Sequence, residues 1–199
     1  MLMEVRALRR TGLLPVSFSL AAGECLAIAG PSGCGKSLLL RAIADLDPNE
    51  GEVRLAGAVR DAMPAPQWRR RVGYVPAEPG WWADTVGQHF DDWAAAQPLV
   101  TRLGLPADAN AWPMTRPSSG ERLRLALVRA LMNRPAVLLL DEPTAALDAA
   151  AVGLVESLVA DQLAQGLAVV WVSHDPAQVT RVARRCLRWD GSQFVAEAL

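Results

Sequence analysis

One eight-residue stretch limits the folds open to this chain more than any other: Gly30-Pro31-Ser32-Gly33-Cys34-Gly35-Lys36-Ser37, with the spacing G-x-x-x-x-G-K-S. An apolar run of strand length, residues 25–29, leads into it. A Leu-, Ala- and Ile-rich stretch of helical character, residues 38–46, leads out. Strand, glycine loop, helix is the context in which consecutive backbone N–H groups can turn inward around an anion, because glycine takes the required dihedrals without steric cost. The helix start adds the positive end of its dipole. The stretch therefore reads as a phosphate-binding loop, with Leu38 closing the set of nucleotide-contacting positions. Lys36 would bring a point charge to the outer phosphates, and the Ser37 hydroxyl an oxygen for Mg²⁺. Lys36 is also the only lysine in the chain. An arginine would be too wide and planar for that task.

A chain of 199 residues that is 51% hydrophobic and 21% charged fits one globular domain with a substantial core. A net charge of −1 argues against a nucleic-acid partner, which would need a basic excess. Cys25, Cys34 and Cys186 lie far apart, without metal-type spacing, and read as reduced thiols. Residues 1–10 carry Glu4, Arg6, Arg9 and Arg10 and do not read as a signal peptide. No run reaches the roughly 20 apolar residues of a membrane span, so a membrane role is expected to come through a partner chain.

Along the chain, residues 16–20 alternate as a half-buried strand does, and residues 47–51 form a dense turn signal. A strand is expected over 52–58, a Pro/Ala-rich loop over 61–67 and a short strand over 72–75. From 77 to about 117 the character changes, with five of the seven tryptophans between Trp68 and Trp112. A helix is expected over 84–96 within a small, mainly helical insert. Ser118 opens a long helix through Asn133, with Arg122, Arg124, Arg129 and Arg134 on its solvated side. Residues 136–140 and 167–172 are continuous apolar runs, as in a parallel sheet. Asp148 caps a helix that Gly166 closes, residues 177–185 read as helical, and Asp190-Gly191 marks a hairpin turn. Alternating strands and helices predict an α/β fold with a doubly wound parallel sheet, whose ligand sits beyond the carboxyl ends of the strands.

Three polar groups follow directly on apolar strands: the phosphate loop, Asp141-Glu142 and His174. Residues 137–143 resemble a Walker B strand. A carboxylate at such a strand end can hold Mg²⁺ and a second can orient an attacking water, which assigns Asp141 to the metal and Glu142 to the water. His174 is placed to contact the terminal phosphate.

These segments, with Ser118-Ser119-Gly120-Glu121 and Asp148, occur in the order and spacing of ABC ATPases, and the resemblance spans essentially the whole chain. It implies a phosphate-loop NTPase (RecA-like) parallel-sheet core, an antiparallel β subdomain and a short helical insert: one domain over 1–199, with core 1–78 and 121–199 and insert about 79–120. Residues 118–121 resemble the ABC signature, and residues 145–148 the D-loop. In that family two ATPase subunits pair head to tail, so that Ser118 would meet the γ-phosphate bound by a second copy or a related ATPase. The implied role is ATP hydrolysis, with Mg²⁺, powering a separate transmembrane permease from the cytoplasmic face of a bacterial inner membrane. GPSGCGKS and AVVWVSHD look most similar to iron- or metal-export ATPases, with haem export another candidate.

Three positions depart from the family pattern. Ala77 stands where the Q-loop glutamine is usual, with Glu78 beside it. Ser119 replaces the first signature glycine. No aromatic lies near residues 8–14 to stack on adenine. These bear on hydrolysis more than on nucleotide binding. The Trp81-Trp82 pair fits either a permease-facing hot spot or the insert's own core. Two other readings are a regulatory ABC subunit that binds ATP with little hydrolysis, prompted by Ala77, and an ABC ATPase of DNA maintenance, against which stand the missing heptads and the near-zero charge.

Overall fold

The structure is a computed structural model that describes residues 1–199. Its first half contains β1 (Met3–Arg10), β2 (Leu13–Leu20), β3 (Cys25–Ala29), α1 (Lys36–Ile43), β4 (Glu50–Leu55), β5 (Ala58–Val59), α2 (Ala65–Arg71) and β6 (Val72–Val75). There follow α3 (Trp93–Arg102), α4 (Ser119–Met132), β7 (Val137–Asp141), α5 (Ala149–Ala164), β8 (Ala168–Val172), α6 (Pro176–Val182), β9 (Arg185–Trp189) and β10 (Phe194–Ala198).

The apolar runs become the centre of a six-stranded sheet, in the order β10-β9-β3-β8-β7-β6. The strands from β9 to β6 are parallel, and β10 is an antiparallel edge. Every residue of β3, β7 and β8 is buried, because both faces are covered. The period of two sorts the side chains. Leu26, Ile28, Val170 and Val172 meet α1 and the antiparallel sheet β2-β1-β4-β5. Ala27, Ala29, Val169 and Trp171 meet α4, α5 and the segment around α3. The fold is that of a phosphate-loop NTPase, and its strand ends form one edge.

Three local expectations change. The loop expected over 61–67 gives way at Ala65 to a helix that runs to Arg71. The prolines fall at its start, where a missing N–H costs nothing. Trp68, fully buried, fixes this helix by donating from Nε1 to Ile43 O at 2.8 Å. The helix expected over 84–96 begins only at Trp93, where the Asp92 side chain accepts from Ala95 N at 3.0 Å. Before it, Thr85 bridges to Pro113. Helix α6 ends at Val182, because Cys186 and Leu187 are claimed by β9 and the core.

Three of the arginines expected to be solvated are in fact ties. Arg122 donates to Met114 O at 2.7 Å, Arg124 to Leu103 O at 2.7 Å and Arg129 to Gly80 O at 3.1 Å. Carbonyls of the 77–118 segment that lack partners of their own are thus bonded from α4. Only Arg134 stands exposed.

Candidate functional site

The phosphate loop is bent by Gly33 and Gly35 at φ of 81° and 99°. Gly35 is the N-cap of α1, so the loop's N–H groups and the helix start face one point. Gly30 is required for a different reason. A Cβ there would lie 2.7 Å from Trp189 Cβ and 2.8 Å from Cys34 Sγ, so β9 and the loop could not both keep their places. Lys36 is 8% exposed, and its Nζ donates to Gly30 O at 2.8 Å and Pro31 O at 2.9 Å. The ammonium is therefore held over the mouth of its own loop.

Lys36, Ser37 and Leu38 share a cleft of about 500 Å³ with Asp141, Glu142 and His174. Ser32, Gly33, Gly35, Ala77 and Ala145 complete its wall. A larger hollow of about 640 Å³ lies near Leu131, Pro135 and Leu167, where Arg134 is the one charged residue. The chemistry belongs to the cleft.

Asp141 is 4% exposed and ends β7. The Tyr74 hydroxyl, from the neighbouring β6, donates to Asp141 Oδ2 at 3.2 Å. Burial, and then the Asp141 charge, push the Tyr74 phenol well above its ordinary range, so it stays a donor. Glu142 sits at φ 50°, a conformation that costs an L-residue, and its N donates to Val172 O at 3.2 Å. That turn aims its carboxylate along the strand ends. Glu142 Oε2 lies 3.0 Å from Nδ1 of His174, which is largely exposed. His174 itself is set by the buried Ser173, whose N donates to Ile28 O, and by Asp175, the N-cap of α6.

No group of three or more His, Cys, Asp or Glu side chains gathers to hold a metal. The cleft instead offers two hard oxygen donors, Ser37 and Asp141. That set fits Mg²⁺, which prefers one or two protein oxygens together with phosphates and water.

Ser118 and Ser119 are exposed at the start of α4, and none of residues 118–121 lines the cleft of its own chain. Ser118 and Glu121 form a capping box. Ser118 N donates to Glu121 Oε2 at 2.8 Å, and Ser118 Oγ accepts from Glu121 N at 3.3 Å. The Ser118 hydroxyl also donates to Glu121 Oε2 at 2.9 Å, and the two donors of Ser118, backbone N–H first and then hydroxyl, hold the Glu121 carboxyl below its ordinary range. Gly120 is buried against the loop before α5. Asp148 is the N-cap of α5, accepting from Ala151 N at 2.8 Å.

Three side chains at the site escaped the sequence reading. Tyr74 is one, and being the only tyrosine in the chain, inside a short apolar strand, was its signal. Gln178 is 3% exposed and joins the turn after Glu142 to α5 and α6. His89 is 7% exposed, and its Nε2 accepts from Trp82 N at 2.9 Å and Ala83 N at 3.0 Å. It thereby sets the tryptophan pair. Both rings meet His89 edge-on, and the Arg129 guanidinium lies 4.4 Å and 4.8 Å from their centroids. Trp81 packs on the core, while Trp82 is 73% exposed.

Comparison with known proteins places this geometry. The profile of the family described as "ABC transporter" matches residues 13–145. An ABC transporter ATP-binding protein of Streptomyces avermitilis is 39% identical over 97% of this chain and 35% of its own length. An aliphatic sulfonates import ATP-binding protein, SsuB 2, of Xanthomonas axonopodis is 39% identical over 85% of this chain and 60% of its own. The chain thus spans less than two-thirds of either relative's length. The probable iron export ATP-binding protein FetA of Escherichia coli is 34% identical over 82% of this chain and 78% of its own length. Among solved structures, an ATP-binding subunit of an ABC transporter superposes with a TM-score of 0.88 at 22% identity, covering 100% of this chain and 90% of its own. An ATP-binding cassette solved as a dimer in a post-hydrolysis state with ADP and Pi superposes at 0.85, with 23% identity over 99% and 98%. At these identities the structures speak for the fold alone. From the family match and the relatives, with the shared fold beside them, the chain belongs to the ABC transporter family.

Proposed function

We propose that this chain is the ATP-binding and ATP-hydrolysing subunit of a transporter, driving a separate membrane permease by ATP-dependent closure of a dimer. The observation that carries the reading is the convergence of Lys36, Ser37, Asp141, Glu142 and His174 on one cleft at the ends of three strands. The loop N–H groups of residues 30–38 and Lys36 would hold the phosphates, and Ser37 and Asp141 would hold Mg²⁺. Bound there, Mg²⁺ supplies positive charge to the β- and γ-phosphate oxygens. Glu142 orients and takes the proton of the attacking water, while His174, 3.0 Å from Glu142, meets the γ-phosphate.

The exposed Ser118 and Ser119 would complete the site of a second copy or of a related ATPase, with Asp148 at the same junction. We read residues 1–199 as one domain, with core 1–78 and 121–199 and an insert over about 79–120. The protruding Trp82 ring suits a hot spot for the permease. No helix is long and apolar enough to cross a membrane. That agrees with a peripheral subunit at the cytoplasmic face of a bacterial inner membrane. The relatives include both an importer of sulfonates and an iron exporter, so cargo and direction belong to the permease.

The test is Mg·ATP retention and turnover by the purified chain. Lys36→Ala is expected to abolish retention. Glu142→Gln is expected to keep retention, lose turnover and accumulate dimer. Retention of Mg·ATP by Lys36→Ala would overturn the assignment. Ala77 in the cleft wall supports a second reading, a regulatory subunit that binds ATP and turns it over rarely. Background turnover in the unsubstituted chain, unchanged in Glu142→Gln, selects that reading.

A further inference from the structure

Glu142 and His174 come from different segments, the turn after β7 and the joint between β8 and α6, and their separation of 3.0 Å has to be maintained between them. The direct contact is weak as a brace, because His174 is 71% exposed. One buried side chain spans the two segments behind them. Gln178 lies four residues after His174. It occupies the third position of α6, where a glutamine ordinarily turns back to the N-cap N–H. Here it does not. Asp175 N is satisfied by Ser173 Oγ at 3.1 Å, and the carboxamide points inward.

There Gln178 Nε2 donates to Thr144 Oγ1 at 2.9 Å and to Glu156 Oε1 at 2.9 Å. Its Oε1 accepts from Trp171 Nε1 at 3.3 Å and stands 3.1 Å from Thr144 Oγ1. Thr144 is two residues beyond Glu142, and Trp171 three before His174. Glu156 is in turn clamped by Arg181, with Nη2 at 2.9 Å and Nε at 3.1 Å. Burial pushes the Glu156 carboxyl up, but the donors of Arg181 and Gln178 outweigh it and leave it below its ordinary range. The carboxamide is thus bonded on both sides in a place 3% exposed, where a missing partner is expensive.

We propose that Gln178 is a positioning residue for hydrolysis, its carboxamide locking the Glu142 turn to the His174 joint and so fixing the gap between the two side chains. This rests on the reading of Glu142 and His174 as the hydrolytic pair. Gln178 does not line the cleft, so its loss acts on kcat and spares binding. Displacement of a reacting group by about 1 Å can cost up to ~100-fold in rate. Gln178→Met keeps length and volume but forms none of these hydrogen bonds. Gln178→Glu sets a second carboxylate against Glu156, whereas the pair Gln178→Glu with Glu156→Gln exchanges donor and acceptor and restores the bond.

The experiment measures kcat and KM for Mg·ATP, and the Kd of a fluorescent ATP analogue, on the purified full chain. Expected for Gln178→Met and Gln178→Glu is a fall in kcat of about tenfold or more, with Kd within about twofold; the exchanged pair recovers most of the loss. Should Gln178→Met fail to fold, Thr144→Val carries the same expectation, with Thr144→Ser as its unaffected control. An undiminished kcat in Gln178→Met or Thr144→Val overturns the proposal, as does a parallel loss of kcat and nucleotide affinity. If Glu142→Gln turns over ATP at the unsubstituted rate, the underlying reading falls as well. If Glu142→Gln is inactive and Gln178→Met is not, only the role of Gln178 falls.

Discussion

The same chemical change, glycine to alanine, has opposite consequences at two helix positions of this chain. Gly120 lies in the first turn of α4. A Cβ there would stand 2.8 Å from Ala146 O and 2.9 Å from Leu147 Cδ2. The first neighbour is backbone, so the loop between Glu142 and Asp148 has to move. Overpacking of this kind costs about 1–3 kcal/mol, against a helix-propensity gain of about 1 kcal/mol. Gly153, in the middle of α5, has nothing within 4 Å of its added Cβ. Gly153→Ala therefore gains about 1 kcal/mol from propensity alone. For a chain of this size 1 kcal/mol moves Tm by about 2–4 °C. Thermal unfolding should place Gly153→Ala a few degrees above the unsubstituted chain, and Gly120→Ala below it by up to about 8 °C. Turnover should fall in Gly120→Ala and stay unchanged in Gly153→Ala, because only the first displaces the loop that carries Glu142. A Gly120→Ala chain as stable and active as its parent would refute the packing argument.

Tyr74→Phe removes the donor that orients Asp141. The Mg²⁺ concentration for half-maximal turnover should rise about tenfold, with metal-free nucleotide binding unchanged. Asp47 is held at a pKa of about 2, against an ordinary 3.8, chiefly by its hydrogen bonds to Arg41 and also by Arg10. A depressed carboxyl stabilises above its unfolded pKa, so the advantage of the parent over Asp47→Asn in denaturant unfolding should be full above pH ~4 and vanish as pH falls towards 2. Burial pushes the Cys25 thiol up to about 12 and raises that of Cys186, whereas Cys34 is part-exposed in the phosphate loop. A thiol reagent at pH 8 should therefore modify Cys34 alone in the native chain, more slowly with Mg·ATP present, and all three only after unfolding.

The sheet and the cleft could be read from the sequence because each polar group there follows its own apolar strand. Residues 25–29, 137–141 and 168–172 are buried on both faces, so their apolar runs are unbroken and their ends stand out. The 77–118 segment was less legible because distant residues set its shape. Arg122, Arg124 and Arg129 supply its carbonyls with donors, and His89 gathers Trp82 and Ala83. None of these pairings leaves a period in the sequence. The helix around Trp68 was hidden by prolines that belong to its first turn. Tyr74 and Gln178 were missed because their roles lie in partners 67 and 34 positions away in the chain.

A chain with one lysine has one internal site for an endoprotease that cuts after lysine, and here that bond joins Lys36 to Ser37. In the folded protein this peptide link opens α1, and the Lys36 side chain is nearly covered, tucked against Gly30 O and Pro31 O. Scission must wait for the loop and the first turn of the helix to come loose together. It then gives just two fragments, ending at residue 36 and beginning at 37. The rate of that single cut is a direct clock for how often the nucleotide cradle opens.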